Sequence, residues 1–227
     1  MHKTINVKNK IKFICLLLLL SGNIKAQKNY TQYVDPMIGT GGHGHTYPGA
    51  VLPHGMVQLS PDTRLEGWDG CSGYHYSDDF IYGFTHTHLS GTGCSDYGDI
   101  LLMPMNGTPS PDNKIYGSKF SHSNEKATAG YYSVKLDDDN ILAELTTTTR
   151  AGFHKYTFTS AGAAHIILDL KHRDEVIESS IKMINDHTVV GLRRSKAWAN
   201  DQYVYFAIEF SVPFKTADIW KDEKALT

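Results

Sequence analysis

The sequence predicts an all-β protein, an antiparallel β-sandwich with a glycine- and histidine-rich loop region at its N-terminal end. Three observations carry this. From Tyr131 onward, strand-length runs of β-branched and aromatic residues recur, split by Gly, Asp, Asn and Ser clusters, at the eight-to-twelve-residue spacing typical of sandwiches. No stretch carries the apolar stripe of a three-turn amphipathic helix, and Lys171 to Ser180 has charges without one. The segment between Asp35 and Asp99 is dense in Gly, His, Asp and Ser and lacks aliphatic periodicity, the texture of loops that carry chemistry.

Taken in order, residues 1–26 read as a secretory signal peptide. Lys3, Lys8, Lys10 and Lys12 make a basic start, the apolar run Phe13 to Leu20 follows, and Ser21 to Ala26 reads as a cleavage region despite the bulk of Ile24. That run is far shorter than the roughly 20 residues of a spanning helix, so export to the periplasm or beyond is preferred over an uncleaved anchor. No membrane span is expected after cleavage. Residues 27–227 then form one domain of ordinary size.

In the domain's second half, Tyr131 to Leu136 alternates and Asp137-Asp138-Asp139-Asn140 makes a turn. Further strands are expected over Ile141 to Thr149, Gly152 to Thr159, Ala164 to Leu170, Glu178 to Ile184, Thr188 to Arg194 and Gln202 to Phe210, with a hairpin turn at Asn185-Asp186-His187.

Losing the five leader lysines moves the net charge from −2 to about −7. No basic stripe or arginine cluster remains, which argues against nucleic acid and anionic membranes as partners. Two cysteines survive, Cys71 and Cys94. An oxidising compartment permits one pairing between them, and two separate thiols behaving as small hydrophobes are the rival reading.

The densest chemistry lies in Phe84-Thr85-His86-Thr87-His88-Leu89-Ser90-Gly91-Thr92-Gly93-Cys94-Ser95-Asp96-Tyr97-Gly98-Asp99. If Phe84 to Leu89 is extended, His86 and His88 share a face. Upstream, His43-Gly44-His45 and Gly67-Trp68-Asp69-Gly70-Cys71-Ser72-Gly73-Tyr74-His75-Tyr76 have the same character.

These segments, with Tyr33-Val34-Asp35-Pro36-Met37-Ile38-Gly39-Thr40, closely resemble the N-terminal domain of glycoside hydrolase family 92. The likeness continues collinearly through Gly130 to Val134, Glu144 to His154 and Arg194 to Gln202. His54 departs from it, standing between Pro53 and Gly55 where an aromatic is expected. The resemblance implies a sandwich from a calcium-dependent, inverting, exo-acting alpha-mannosidase that acts on mannose-containing glycans. It also implies that both catalytic carboxylates lie in a following helical-barrel domain, which this chain, ending at Thr227, does not include.

Residue by residue, the alternatives are these. Paired histidines and cysteines could hold zinc, but no Cys-x-x-Cys, His-Glu-x-x-His or zinc-module spacing occurs. Calcium prefers oxygen ligands, and no EF-hand-type loop is present. Asp96 and Asp99, three apart, fall on opposite faces of an extended segment, against the paired carboxylates an inverting glycosidase needs. Neither catalytic nor metal-ligating residues are therefore assigned. Ser90 and Ser95 lack a nucleophile elbow.

Sugar binding remains, because a pyranose offers an apolar face to an aromatic ring and hydroxyls to mixed donors and acceptors. The expected contacts are Trp68, Asp69, His86 and His88; Trp68 is either a stacking platform, which the resemblance directs toward a leaving-group sugar, or a ring that plugs the core or a domain interface. Trp198 is expected to pack among the strands. Two readings follow: the sandwich completes the active site of an exported alpha-mannosidase, or it is a stand-alone, non-catalytic glycan-binding module.

Overall fold

In this computed structural model, residues 28–159, 162–221 and 224–226 are described. The leader expected over residues 1–26 lies outside them. Among the described residues every strand belongs to the compact unit Thr31–Thr227. Among the described residues no helix is long and apolar enough to cross a membrane.

The first strands are short: β1 (Ala50–Val51), β2 (Gln58–Asp62), β3 (Phe80–Ile81) and β4 (Gly83–Thr85). Longer ones follow as β5 (Leu101–Asn106), β6 (Ser118–Thr128), β7 (Tyr131–Leu136), β8 (Ile141–Thr147) and β9 (Gly152–Phe158). The remainder are β10 (Ala164–Asp169), β11 (Glu175–Met183), β12 (Thr188–Lys196), β13 (Gln202–Glu209), β14 (Ile219–Lys221) and β15 (Lys224–Leu226). Among the described residues the only α-helix is the single turn Asn113–Tyr116, capped by the Asp112 side chain.

Two five-stranded sheets, ordered β1-β2-β4-β5-β10 and β3-β6-β7-β8-β9, share one core. Leu59, Phe84, Leu101 and Met103 meet Tyr132, Val134, Leu136, Ile141 and Leu145 there. The alternation read in the sequence is the cause: β7 and β8 send every second residue inward, and each buried aliphatic or aromatic side chain stabilises by about 1.5–3 kcal/mol. All pairings are antiparallel, so the expected antiparallel sandwich is what the chain forms.

A three-stranded sheet, β11-β12-β13, carries the next hairpins. Its turn at Asn185-Asp186-His187 closes with Ile184 N–H donating to Thr188 O at 2.8 Å. Val189, Arg193 and Ser195 are buried along β12, whereas β11 is exposed over most of its length. The strands from Tyr131 to Glu209 match the expected runs to within a few residues. The loop-like texture expected between Asp35 and Asp99 is revised: β1 to β4 run through that stretch. β4 ends at Thr85, so the extended segment does not continue to Leu89.

Candidate functional site: three loops on a buried polar floor

The loops expected to carry chemistry converge at one place. From the first comes His43, whose Nδ1 lies 2.9 Å from Asp69 Oδ1, and His45, whose ring meets Trp68 edge-on at 5.1 Å between centroids. The second loop presents Trp68 itself, 64 % exposed, and Asp69. The third reaches back through Gly91 N–H, which donates to His45 O at 2.6 Å. Asp69 titrates below the usual carboxylate range, chiefly because of its hydrogen bond with His43.

Gly93 seats the indole. A β-carbon there would collide with the far edge of the Trp68 ring, so the third loop approaches the indole at backbone distance, which only glycine permits. Gly93→Ala is expected to swing Trp68 off its seat and shift its fluorescence, while costing less than about 1 kcal/mol because the colliding atoms end a side chain. An unchanged emission spectrum would refute this placement.

Beneath the surface lies a polar floor. Asp62, fully buried at the end of β2, accepts from His88 Nε2 at 2.7 Å, from His172 Nε2 at 2.7 Å and from Thr85 Oγ1 at 3.1 Å. Burial alone would raise its carboxyl; the two histidines outweigh that and hold it well below the usual carboxylate range. His88 Nδ1 faces Gln58 O at 2.7 Å, so both of its ring nitrogens face acceptors and each serves as a donor. Gly73 lets this happen: it has φ +98° and lies so close to Asp62 that a β-carbon would strike the carboxylate.

His86 enters a different network. Its Nδ1 lies 2.6 Å from Ile100 O, its Nε2 3.0 Å from His154 Nε2, and His154 Nδ1 lies 2.7 Å from the Tyr156 hydroxyl. A carbonyl only accepts, so His86 donates through Nδ1, accepts at Nε2 from His154, and His154 accepts from Tyr156. This arrangement uses one proton per bond and needs both imidazoles neutral. Burial provides that, taking His86 down to about 4 and His154 well below its usual value.

A third network ties this layer to β12. Asp99 is fully buried and receives the Arg193 guanidinium, Thr87 Oγ1 at 2.7 Å and Gln202 Nε2 at 2.8 Å. Asp96 Oδ2 accepts from Ala199 N–H at 3.1 Å. Arg173 bridges Cys71 O at 3.1 Å and Ser95 Oγ at 2.6 Å. Both cysteines are free, Cys71 buried and donating to Thr92 O at 2.8 Å, Cys94 exposed; burial raises the Cys71 thiol.

The four expected contact residues therefore fall in two layers. Trp68 and Asp69 are at the surface, while His86 and His88 belong to separate internal networks, and the His88 side chain is fully enclosed. Asp62, His154 and His172 had no local signal, since the histidine and carboxylate partners of each lie 26 to 110 residues away in the chain, as does Asp99 from Arg193. Arg193 alone offered a hint, as a charge at an inward position of an alternating strand. Trp198 does not pack among strands as expected: it sits on the β12–β13 connection, 65 % exposed.

Calcium fits these residues poorly. Asp62, Asp96 and Asp99 direct their oxygens at N–H and O–H donors, whereas calcium needs six to eight oxygen ligands. Among the described residues no group of three His, Cys, Asp or Glu side chains could hold a metal ion.

This sandwich with its loop layer has counterparts among solved family 92 glycosyl hydrolases. It resembles a family 92 alpha-mannosidase of Bacteroides thetaiotaomicron, solved in complex with mannoimidazole, at 37 % identity and TM-score 0.82, covering 88 % of this chain and 27 % of that one. An inverting family 92 mannosidase from the same species (strain VPI-5482) gives 29 % identity and TM-score 0.76, over 88 % of this chain and 28 % of that one. An "uncharacterized secreted glycosidase" of Arthroderma benhamiae is 34 % identical over 137 residues, 56 % of this chain and 17 % of that protein. Residues 33–227 match the glycosyl hydrolase family 92 N-terminal domain, and the chain belongs to that family. It spans only about a quarter of the length of the solved mannosidases it matches.

Proposed function

We propose that this chain is the N-terminal domain of an exported, calcium-dependent, inverting alpha-mannosidase acting on mannose-containing glycans. In this reading it lends a sugar subsite to an active site completed by a helical-barrel domain. The observation that carries it is the exposed Trp68, held by Gly93 and His45 beside the Asp69–His43 pair. An indole face takes the apolar side of a pyranose, and the carboxylate and imidazole take its hydroxyls. Trp68 and Asp69 touch the leaving-group sugar; His86 and His88 hold the loops that present them. Export rests on the basic-apolar leader and on likeness to a secreted relative.

The acid and base of an inverting reaction stand on either side of the scissile bond and a water. The buried carboxylates here are committed to neighbouring donors, so the proposal places the acid and base, and the calcium, in the helical domain. The exposed apolar residues Ile177, Ile181 and Met183 on β11 are a surface for it to cover.

The test is to incubate the purified chain with an alpha-1,2-linked mannobiose and calcium, assay free mannose, and titrate binding in parallel. The expected result is no mannose, with binding that Trp68→Ala weakens at least tenfold. Calcium-dependent release of mannose would place the acid and base in this chain and overturn the division of labour. Binding indifferent to Trp68→Ala would overturn the subsite. The second reading, a stand-alone glycan-binding module, shares the subsite and differs only in having no partner domain.

A further inference from the structure

Of the three tryptophans, Trp220 is half-buried on β14, whereas Trp68 and Trp198 are 64 % and 65 % exposed. Those two are anchored to the same four-residue segment. The Trp68 ring lies over Gly93, and the residue following Trp198 donates its backbone N–H to Asp96 Oδ2 at 3.1 Å. Gly93 and Asp96 are three residues apart, so their α-carbons are at most about 11 Å apart. Two residues with exposed indoles are thus tied to one short stretch of loop.

The Trp198 connection is braced. Ala197 N–H donates to Ala199 O at 3.0 Å. At its far end the Asp201 carboxylate is gripped by Arg194 through Nε at 2.7 Å and Nη2 at 3.0 Å, and the Arg194 guanidinium lies over the Tyr203 ring at 4.9 Å. Asp96, the anchor, is 6 % exposed. An indole held outward by a buried carboxylate and a bidentate ion pair is presented to solvent rather than left there by a loose loop. Its neighbours two positions away in sequence are the polar Lys196 and Asn200, which suit hydroxyls better than aliphatic residues do.

We infer that Trp198 is a second stacking subsite for the same glycan, lying beyond Trp68 and engaging a further pyranose on the leaving-group side. The ligand class is an oligosaccharide of three or more units. This deepens the reading of Trp68 as a sugar platform and rests on it. It also gives Asp96 a positioning role: its carboxylate fixes the distance between the two platforms by holding the Trp198 connection against the loop that seats Trp68.

The test compares alpha-1,2-linked mannobiose with mannotriose by calorimetric titration of the full chain and of its Trp198→Ala, Trp198→Tyr and Trp68→Ala variants. The chain is expected to bind the trisaccharide about tenfold more tightly, the order of one aromatic contact. Trp198→Ala is expected to erase that preference and leave the disaccharide unaffected, with Trp198→Tyr restoring most of it. Equal affinity for the two sugars, or a preference that survives Trp198→Ala, overturns the inference and marks Trp198 as covered by another part of the protein. Failure of the Trp68 reading shows separately, as mannobiose binding unchanged in Trp68→Ala; no binding of either sugar overturns both.

Discussion

Arg193→Met is expected to cost the domain about 3–5 kcal/mol, the range for leaving a buried charge without its partner. The guanidinium is fully buried and serves three acceptors on two segments: the Asp99 carboxylate, and Leu170 O at 2.9 Å with Arg173 O on one turn. Methionine matches much of the volume but donates to none of them. Two carbonyls then lose a donor, and Asp99 keeps only Thr87 and Gln202. Against a total stability of about 5–15 kcal/mol, that is a large share. A urea titration measures it as a lower midpoint at unchanged slope. The double variant with Asp99→Asn should recover part of the loss, because the stranded charge is then gone. A loss below about 1 kcal/mol in the single variant would mean that the pair does not hold the Asp99 loop.

Acidification between pH 6.5 and 4 is expected to destabilise the domain through the His86–His154 pair. Both imidazoles are held neutral by burial, His86 down to about 4 and His154 well below its usual value. In the unfolded chain each titrates near 6.5. Below that value the unfolded state binds protons that the folded state refuses, so stability is fully present above about pH 6.5 and lost as pH falls toward the folded values. The slope is about 1 kcal/mol per pH unit for each imidazole. The structural reason is direct: a second proton on His86 sets two N–H groups against each other across a 3.0 Å gap, and one on His154 takes the Nδ1 site that accepts from the Tyr156 hydroxyl. Asp62, held below the usual range, adds its own loss at still lower pH, where its carboxylate must protonate on unfolding. Urea midpoints at pH 7, 6 and 5 measure the effect, and His154→Gln should remove about one proton from the slope. A midpoint flat from pH 7 to 5 would refute the neutral pair.

The strands from Tyr131 onward were legible because each buries one face and exposes the other, and a two-residue period survives in the sequence. β6 was not. Ser118 to Thr128 reads Ser-Lys-Phe-Ser-His-Ser-Asn-Glu-Lys-Ala-Thr, and its register shifts between Phe120 and Glu125, which breaks the alternation. There Glu125 is satisfied by the Tyr74 and Tyr132 hydroxyls at 2.9 and 2.6 Å, partners that no local pattern announces. β5 was missed for the opposite reason, since Leu101 to Met105 is buried throughout and an unbroken apolar run has no period to read.

The candidate site divides along similar lines. The three loops were marked by composition, because positive-φ turns need glycine and surface chemistry needs polar side chains; Gly67, Gly70, Gly73, Gly91 and Gly98 all have positive φ. The exposed Trp68 could be singled out as a candidate from its glycine-flanked setting. What composition could not convey is which histidines face outward. His43 is at the surface while His88, of the same residue type in an equally polar loop, is sealed against Asp62, whose other oxygen takes His172. That difference arises from the approach of β2, the 86–99 loop and the Leu170–Asp174 turn. Partners more than a hundred residues apart leave no mark in local sequence, and burial is a property of the assembled fold. Local alternation and turn chemistry were enough for the antiparallel strands and the loop region; the polar floor, the neutral histidine pair and the exposure of Trp198 exist only because distant segments close on one another.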